Sequence, residues 1–186
     1  FFINKNIIAK NDSKPPFITL GEALSDPNYF KDSRGGHIQR TPISYAQAAL
    51  PLLQTSPKIV LVDGYFKLRY YHEDRKSFMP SIRQINFLKQ LITESLKWNR
   101  VELFVFAISE SEALKGDTNG QIFNAQMKRI FEDCGAQHIK FESNLLDEKN
   151  PLDSHPRYLL GLNSGLHFDW GFDTKPNDPN STNHVE

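Results

Sequence analysis

Four apolar residues in a row, Ile59-Val60-Leu61-Val62, stopped by Asp63-Gly64, limit the fold of this chain more than any other stretch. A half-exposed strand alternates apolar with polar residues, so an unbroken run of this length predicts a strand buried on both faces. Such strands belong to sheets layered with helices, and the following residues supply the helices. Ile82, Ile85, Leu88, Leu91, Ile92 and Leu96 recur at helical spacing, and Pro80 suits a first turn, which predicts an amphipathic helix from Pro80 to Lys97. Val101 to Ile108 is a second buried strand, and Ile122, Phe123, Met127, Ile130 and Phe131 mark a second helix stopped at Gly135. His138 to Phe141 is a third strand. After a loop over Asn144 to Ser154 come strands at Arg157 to Leu162 and Leu166 to Phe168. The expected class is α/β: a largely parallel central sheet flanked by helices, with a hairpin near its end.

Residues 58–173 carry this pattern. Residues 1–57 are broken by Pro15-Pro16, Pro27, Gly35-Gly36, Pro42 and Pro57, so an irregular N-terminal extension is expected there, with one short helix near Ser44 to Gln54. Residues 174–186 are polar and proline-bearing, as expected of a mobile tail. A chain of 186 residues suffices for one well-buried domain. Its 22 basic and 22 acidic side chains cancel, so no global field draws it to nucleic acid or an anionic membrane, and any such partner must be met by a local patch. The single cysteine, Cys134, excludes an internal disulfide and suits a reducing compartment. No run of roughly 20 apolar residues is present, and a cytoplasmic location is expected. The chain opens without methionine at Phe1-Phe2 and stops at Val185-Glu186, so a piece of a longer protein is expected.

Two segments could carry chemistry. His155 and Arg157 stand two residues apart at the start of a predicted strand, where alternation puts both on one face. A histidine there could attack phosphorus while a cation neutralises the equatorial oxygens. The structural alternative is a loop histidine beside an arginine held in a salt bridge to a neighbour such as Asp153 or Asp169. The second segment follows the first strand: Lys67, Arg69, Tyr70, Tyr71, His72, Arg75 and Lys76, with Glu73 and Asp74 among them. Basic residues interleaved with aromatics can grip a nucleic-acid backbone and stack on bases, although the same composition also describes a solvated loop. This loop leaves the carboxyl end of a parallel strand, the rim where open α/β sheets hold ligands. His167 and Asp169 share a strand face, but the histidines show no metal-ligand spacing, and neither a metal nor a cofactor is expected.

Asp63-Gly64-Tyr65-Phe66 after a buried strand, Arg83-Gln84-Ile85-Asn86-Phe87-Leu88 in the first helix, His155-Pro156-Arg157-Tyr158, and Asn163-Ser164-Gly165 together resemble phospholipase D-like domains. The likeness is nearest to the non-catalytic kind at the C-terminus of microtubule-interacting-and-trafficking proteins, in which a D-P-Y segment follows the first strand and an H-D-R segment precedes a glycine-rich hairpin. It covers roughly Lys58 to Asp173. It implies a phosphate site that includes His155, Arg157 and Asn163, with Lys67, Arg69, Arg75 and Lys76 as the local basic patch. Active members of that superfamily carry H-x-K, then an acid after four intervening residues, and build one site from two such motifs. Here Arg157 replaces the lysine, Leu162 occupies the acid's place, and there is one motif. Arginine still binds phosphate strongly, so binding survives the change better than catalysis.

The resulting expectation is a phosphate-recognising binding or regulatory module with a degenerate phospholipase D-like site, part of a larger protein and in contact with its other domains. Its ligand is a nucleic acid or a phospholipid headgroup, and the likeness to bacterial multidomain systems leaves a role in defence open. The alternative is an active, metal-independent nuclease or phosphodiesterase whose site forms across a homodimer, with His155 from each chain.

Overall fold

The computed structural model describes residues 2–4, 17–19, 36–109, 120–146, 157–162, 164–169, 171–175, 177–178 and 180–185. The predicted buried run forms β4 (Lys58–Asp63), preceded among the described residues by the short strands β1 (Phe2–Asn4), β2 (Phe17–Thr19) and β3 (Gly36–Gln39) and the short helices α1 (Pro42–Ala48) and α2 (Leu50–Thr55). After β4 come β5 (Arg69–His72), β6 (Ser77–Pro80), α3 (Ile82–Trp98), β7 (Leu103–Ser109), α4 (Gln121–Asp133) and β8 (Lys140–Leu146). The chain then forms β9 (Arg157–Leu160), β10 (Gly165–His167) and β11 (Thr182–Val185).

The central sheet has five strands in the order β10-β9-β4-β7-β8. β4, β7 and β8 are parallel neighbours, β9 runs antiparallel to β4, and β10 folds back antiparallel on β9. The sheet is therefore of mixed direction, three parallel strands extended by the expected hairpin. The two crossovers, β4-α3-β7 and β7-α4-β8, step the same way across the sheet, and right-handed crossovers that do so leave their helices on one face. Flanking helices were expected on the sheet; the described ones share one side.

Alternation along β4 explains the two apolar layers. Ile59 and Leu61 join the main core with Phe104, Phe106, Phe87, Leu91, Met127 and Phe131, whereas Val60, Val62, Val105 and Leu160 form a smaller cluster drawn from strands. A strand with both faces buried must be apolar throughout, which is why the sequence shows no polar alternation there.

Three boundaries differ from the sequence reading. Pro80 ends β6 instead of opening α3, because β6 pairs with β5 up to the Arg69↔Pro80 partners. β8 continues to Leu146 through residues assigned to a loop, since parallel pairing with β7 runs from Leu103↔Lys140 to Ser109↔Leu146. The polar C-terminal segment is docked: β11 pairs antiparallel with β3, and Thr174 and Asn183 are buried.

The N-terminal segment contributes to the core through Tyr45 on α1, which is fully buried against Phe87, Phe168 and Phe172. Its hydroxyl donates to the Gly171 carbonyl (3.0 Å) and accepts from Asn183 Nδ2 (2.8 Å). One side chain thus joins the extension, the segment after β10, and the C-terminal strand. Tyr45→Phe keeps the ring and deletes these bonds, so it is expected to cost about 1–3 kcal/mol of unfolding free energy. Urea denaturation with an unchanged slope would show this as a lower midpoint.

Candidate functional site

The carboxyl end of β4 delivers Asp63 to the rim of the sheet. Because β9 is antiparallel to β4, its first residue arrives at the same place: Arg157 is the register partner of Asp63. They belong to separate motifs in the sequence, and sheet pairing makes them neighbours. Asp63 is almost fully buried. Its Oδ1 accepts the Tyr65 amide (2.8 Å), a turn-forming bond typical of aspartate before a glycine. Burial pushes its carboxyl above the ordinary value, against the opposing pull of the Tyr65 and Phe172 amides and of the Arg157 and Lys67 charges.

Arg157 is held on several sides. Its guanidinium donates to the Asp169 carbonyl and lies over the Tyr65 ring, 5.7 Å from the centroid. Gly171, with φ +66°, sits against it: a β-carbon there would lie 2.9 Å from Arg157 Cδ and 3.1 Å from Asp63 Oδ2. Glycine is needed at this point both for the backbone angle and for the approach of the arginine. Asp169 thus meets Arg157 through its backbone. Its carboxylate turns to two imidazoles, with His184 Nδ1 at 3.6 Å and His167 Nδ1 at 3.8 Å. The anticipated tie between Arg157 and Asp169 exists, but a carbonyl makes it, so the arginine's charge is not cancelled there. Among the described residues this is the one hydrogen bond of a group with five donors.

The first turn of α3 anchors the segment that follows Asp63. Gln84, buried, donates from Nε2 to the Tyr65 carbonyl (3.3 Å), and its Oε1 accepts the Lys67 amide (3.1 Å) and the Ser81 hydroxyl (3.0 Å). The Asp63 and Arg83-Gln84 segments that carried the family resemblance are therefore joined by hydrogen bonds.

The remaining predicted site residues disperse. Lys67 lies close enough to act on Asp63 electrostatically. Arg69 stands on β5 with its guanidinium 4.5 Å from the Phe78 ring centroid, and Arg75 and Lys76 lie in the turn between β5 and β6. The expected basic loop is a β-hairpin, and no ion pair or side-chain hydrogen bond joins Arg75 or Lys76 to Arg157 among the described residues. His155 and Asn163 lie outside the described residues. No group of three or more His, Cys, Asp or Glu side chains is placed to hold a metal ion among the described residues. Sequence reasoning missed Asp63, Gln84 and Gly171 as site residues. Asp63 carried a signal, a carboxylate closing an apolar strand before glycine; Gly171 carried none.

Two outcomes follow. A carboxyl with a raised folded pKa gives stability that is complete below its unfolded value and is lost as pH rises through the folded one. Asp63→Asn removes that titration, so the melting temperature of the variant minus that of the parent is expected to grow from about pH 4 upward and then level off. Gly171→Ala forces a positive φ and displaces Arg157, and should destabilise by about 1 kcal/mol or more in thermal unfolding.

Compared with protein-family models, curated proteins and solved structures, the chain has no significant match to any of them.

Proposed function

We propose that this chain is a phospholipase D-like half with a degenerate site, a module that binds a phosphate group at the rim of its sheet without cleaving it. The observation that carries the reading is the setting of Arg157: oriented by the Asp169 carbonyl and the Tyr65 ring, it keeps its charge and, among the described residues, most of its donors beside the carboxyl end of β4. A planar, pre-oriented guanidinium matches two phosphate oxygens at once. The carboxyl edge of the parallel strands is also where α/β sheets hold ligands. Two departures speak against turnover: arginine stands where a catalytic lysine would, and Leu162, half exposed in the β9–β10 turn, stands where an acid would.

The test is calorimetric titration of the full chain with inorganic phosphate and with dimethyl phosphate, beside hydrolysis of a chromogenic phosphodiester in EDTA. Binding should weaken about 10- to 150-fold in Arg157→Ala, the range for losing a charged hydrogen-bonding partner, and less in Arg157→Lys. No hydrolysis is expected. Metal-independent turnover abolished by His155→Ala would replace this reading with a phosphodiesterase assembled across a homodimer.

A further inference from the structure

The β5–β6 hairpin carries a cluster of rings that the core does not use. Tyr70, Tyr71 and Phe78 are each 37–41% exposed on a ribbon of only two strands. Cross-strand pairing puts Tyr71 opposite Phe78 on one face, with Arg69 next along the same strand face. These three side chains form a stack: Arg69 lies 4.5 Å from the Phe78 centroid, and Tyr71 meets Phe78 edge-on at 5.3 Å. The other face presents Tyr70, which lines a cleft of about 350 Å³ with Ile82, Arg83 and Asp173. That volume is at the small end of ligand sites, which run from about 300 Å³.

The partner is identified by its chemistry. Residues 67–76 hold four cations, Lys67, Arg69, Arg75 and Lys76, against Glu73 and Asp74, so the patch is positive on a chain of zero net charge. The turn between the strands is Glu73-Asp74-Arg75-Lys76, all exposed. Four charges at the tip oppose insertion into hydrocarbon, so the rings are poor membrane anchors. A duplex hides the faces of its bases. Single-stranded nucleic acid offers both things the hairpin can use, flat π-faces and a phosphate backbone. From the rim, residues beyond Arg157 reach the hairpin at its other face: the Asp169 carbonyl accepts from Arg157, Gly171 lies against Arg157, and Asp173 pairs with Arg83 in the cleft beside Tyr70.

We propose that the β5–β6 hairpin is a base-stacking platform for single-stranded nucleic acid, with Tyr71 and Phe78 as the stacking rings. This rests on the phosphate-binding reading of Arg157, which would take a backbone phosphate of the same strand. The experiment is fluorescence anisotropy of the full chain with a labelled oligothymidylate, the same strand annealed to its complement, and sedimentation with phosphatidylserine vesicles. The single strand should bind more tightly than the duplex and the vesicles. Tyr71→Ala and Phe78→Ala should each weaken it about 5- to 150-fold, the range for losing one base stack, while Tyr71→Phe keeps it. Arg75→Ala should make the salt dependence shallower by roughly one counterion.

Equal binding of strand and duplex, vesicle binding without strand binding, or unchanged affinity in both alanine variants would overturn the platform. These rings are exposed, so circular dichroism of the variants should match the parent. Loss of strand binding in Arg157→Ala with none in the hairpin variants would keep the phosphate site and sink the platform. The reverse pattern would keep the platform and sink Arg157 as the phosphate contact.

Discussion

Antiparallel pairing of β9 on β4 is the contact on which the candidate site depends. β4 is buried on both faces and hydrogen-bonded on both edges, with β7 on one side and β9 on the other. Such a strand is rigid, and whatever stands at its end inherits that rigidity. Asp63 stands there, and the direction of β9 decides that its first residue, not its last, lies alongside. Had β9 joined parallel, Arg157 would sit at the opposite end of the sheet, near the start of β4. The charge that faces the rim is therefore a consequence of strand polarity.

A second constraint comes from the chain's outer segments. Tyr45 reaches from α1 into the core and binds the Gly171 carbonyl, which Asn183 on the last strand also contacts at 3.1 Å. Arg40 adds to this closure, donating to the Asp173 carbonyl at 2.8 Å and pairing with its carboxylate at 3.3 Å. Residues 171–173 are thereby clamped between the N-terminal helix and the C-terminal strand. This clamp matters at the rim because Gly171 leaves the room in which Arg157 lies. The segments flanking the sheet motif are thus part of the support for the site.

The two acids nearest Arg157 meet it in different ways. The nearest buried acid has its ionised form disfavoured, and the exposed acid, Asp169, turns its carboxylate toward imidazoles and its carbonyl toward the arginine. Neither arrangement offers the arginine a close, fully compensating carboxylate bond. The hairpin beyond it adds aromatic surface, with Glu73 and Asp74 at its tip.

Local pattern determined the elements: the apolar run of β4, the spacing of α3 and α4, the strand of β7, and the hairpin signalled by Asn163-Ser164-Gly165. Each was legible because burial imposes a period of about 2 or 3.6 residues, or none, on neighbours in sequence. Arg157 was also legible as a candidate, since a cation opening a strand is a local feature. The sequence did not disclose that Asp63 and Arg157 meet, that Gln84 braces the segment between them, or that β11 returns to pair with β3. Those contacts join residues 17 to more than 90 positions apart, and each depends on strand direction and sheet order. Polar residues gave the tail the look of a mobile segment because Asn183 and Thr174 show their use only when their buried partners are in place. The sequence alone determined which segments could be layered; the tertiary structure alone decided which charges those layers would bring together, because side chains distant in sequence become neighbours only through pairing.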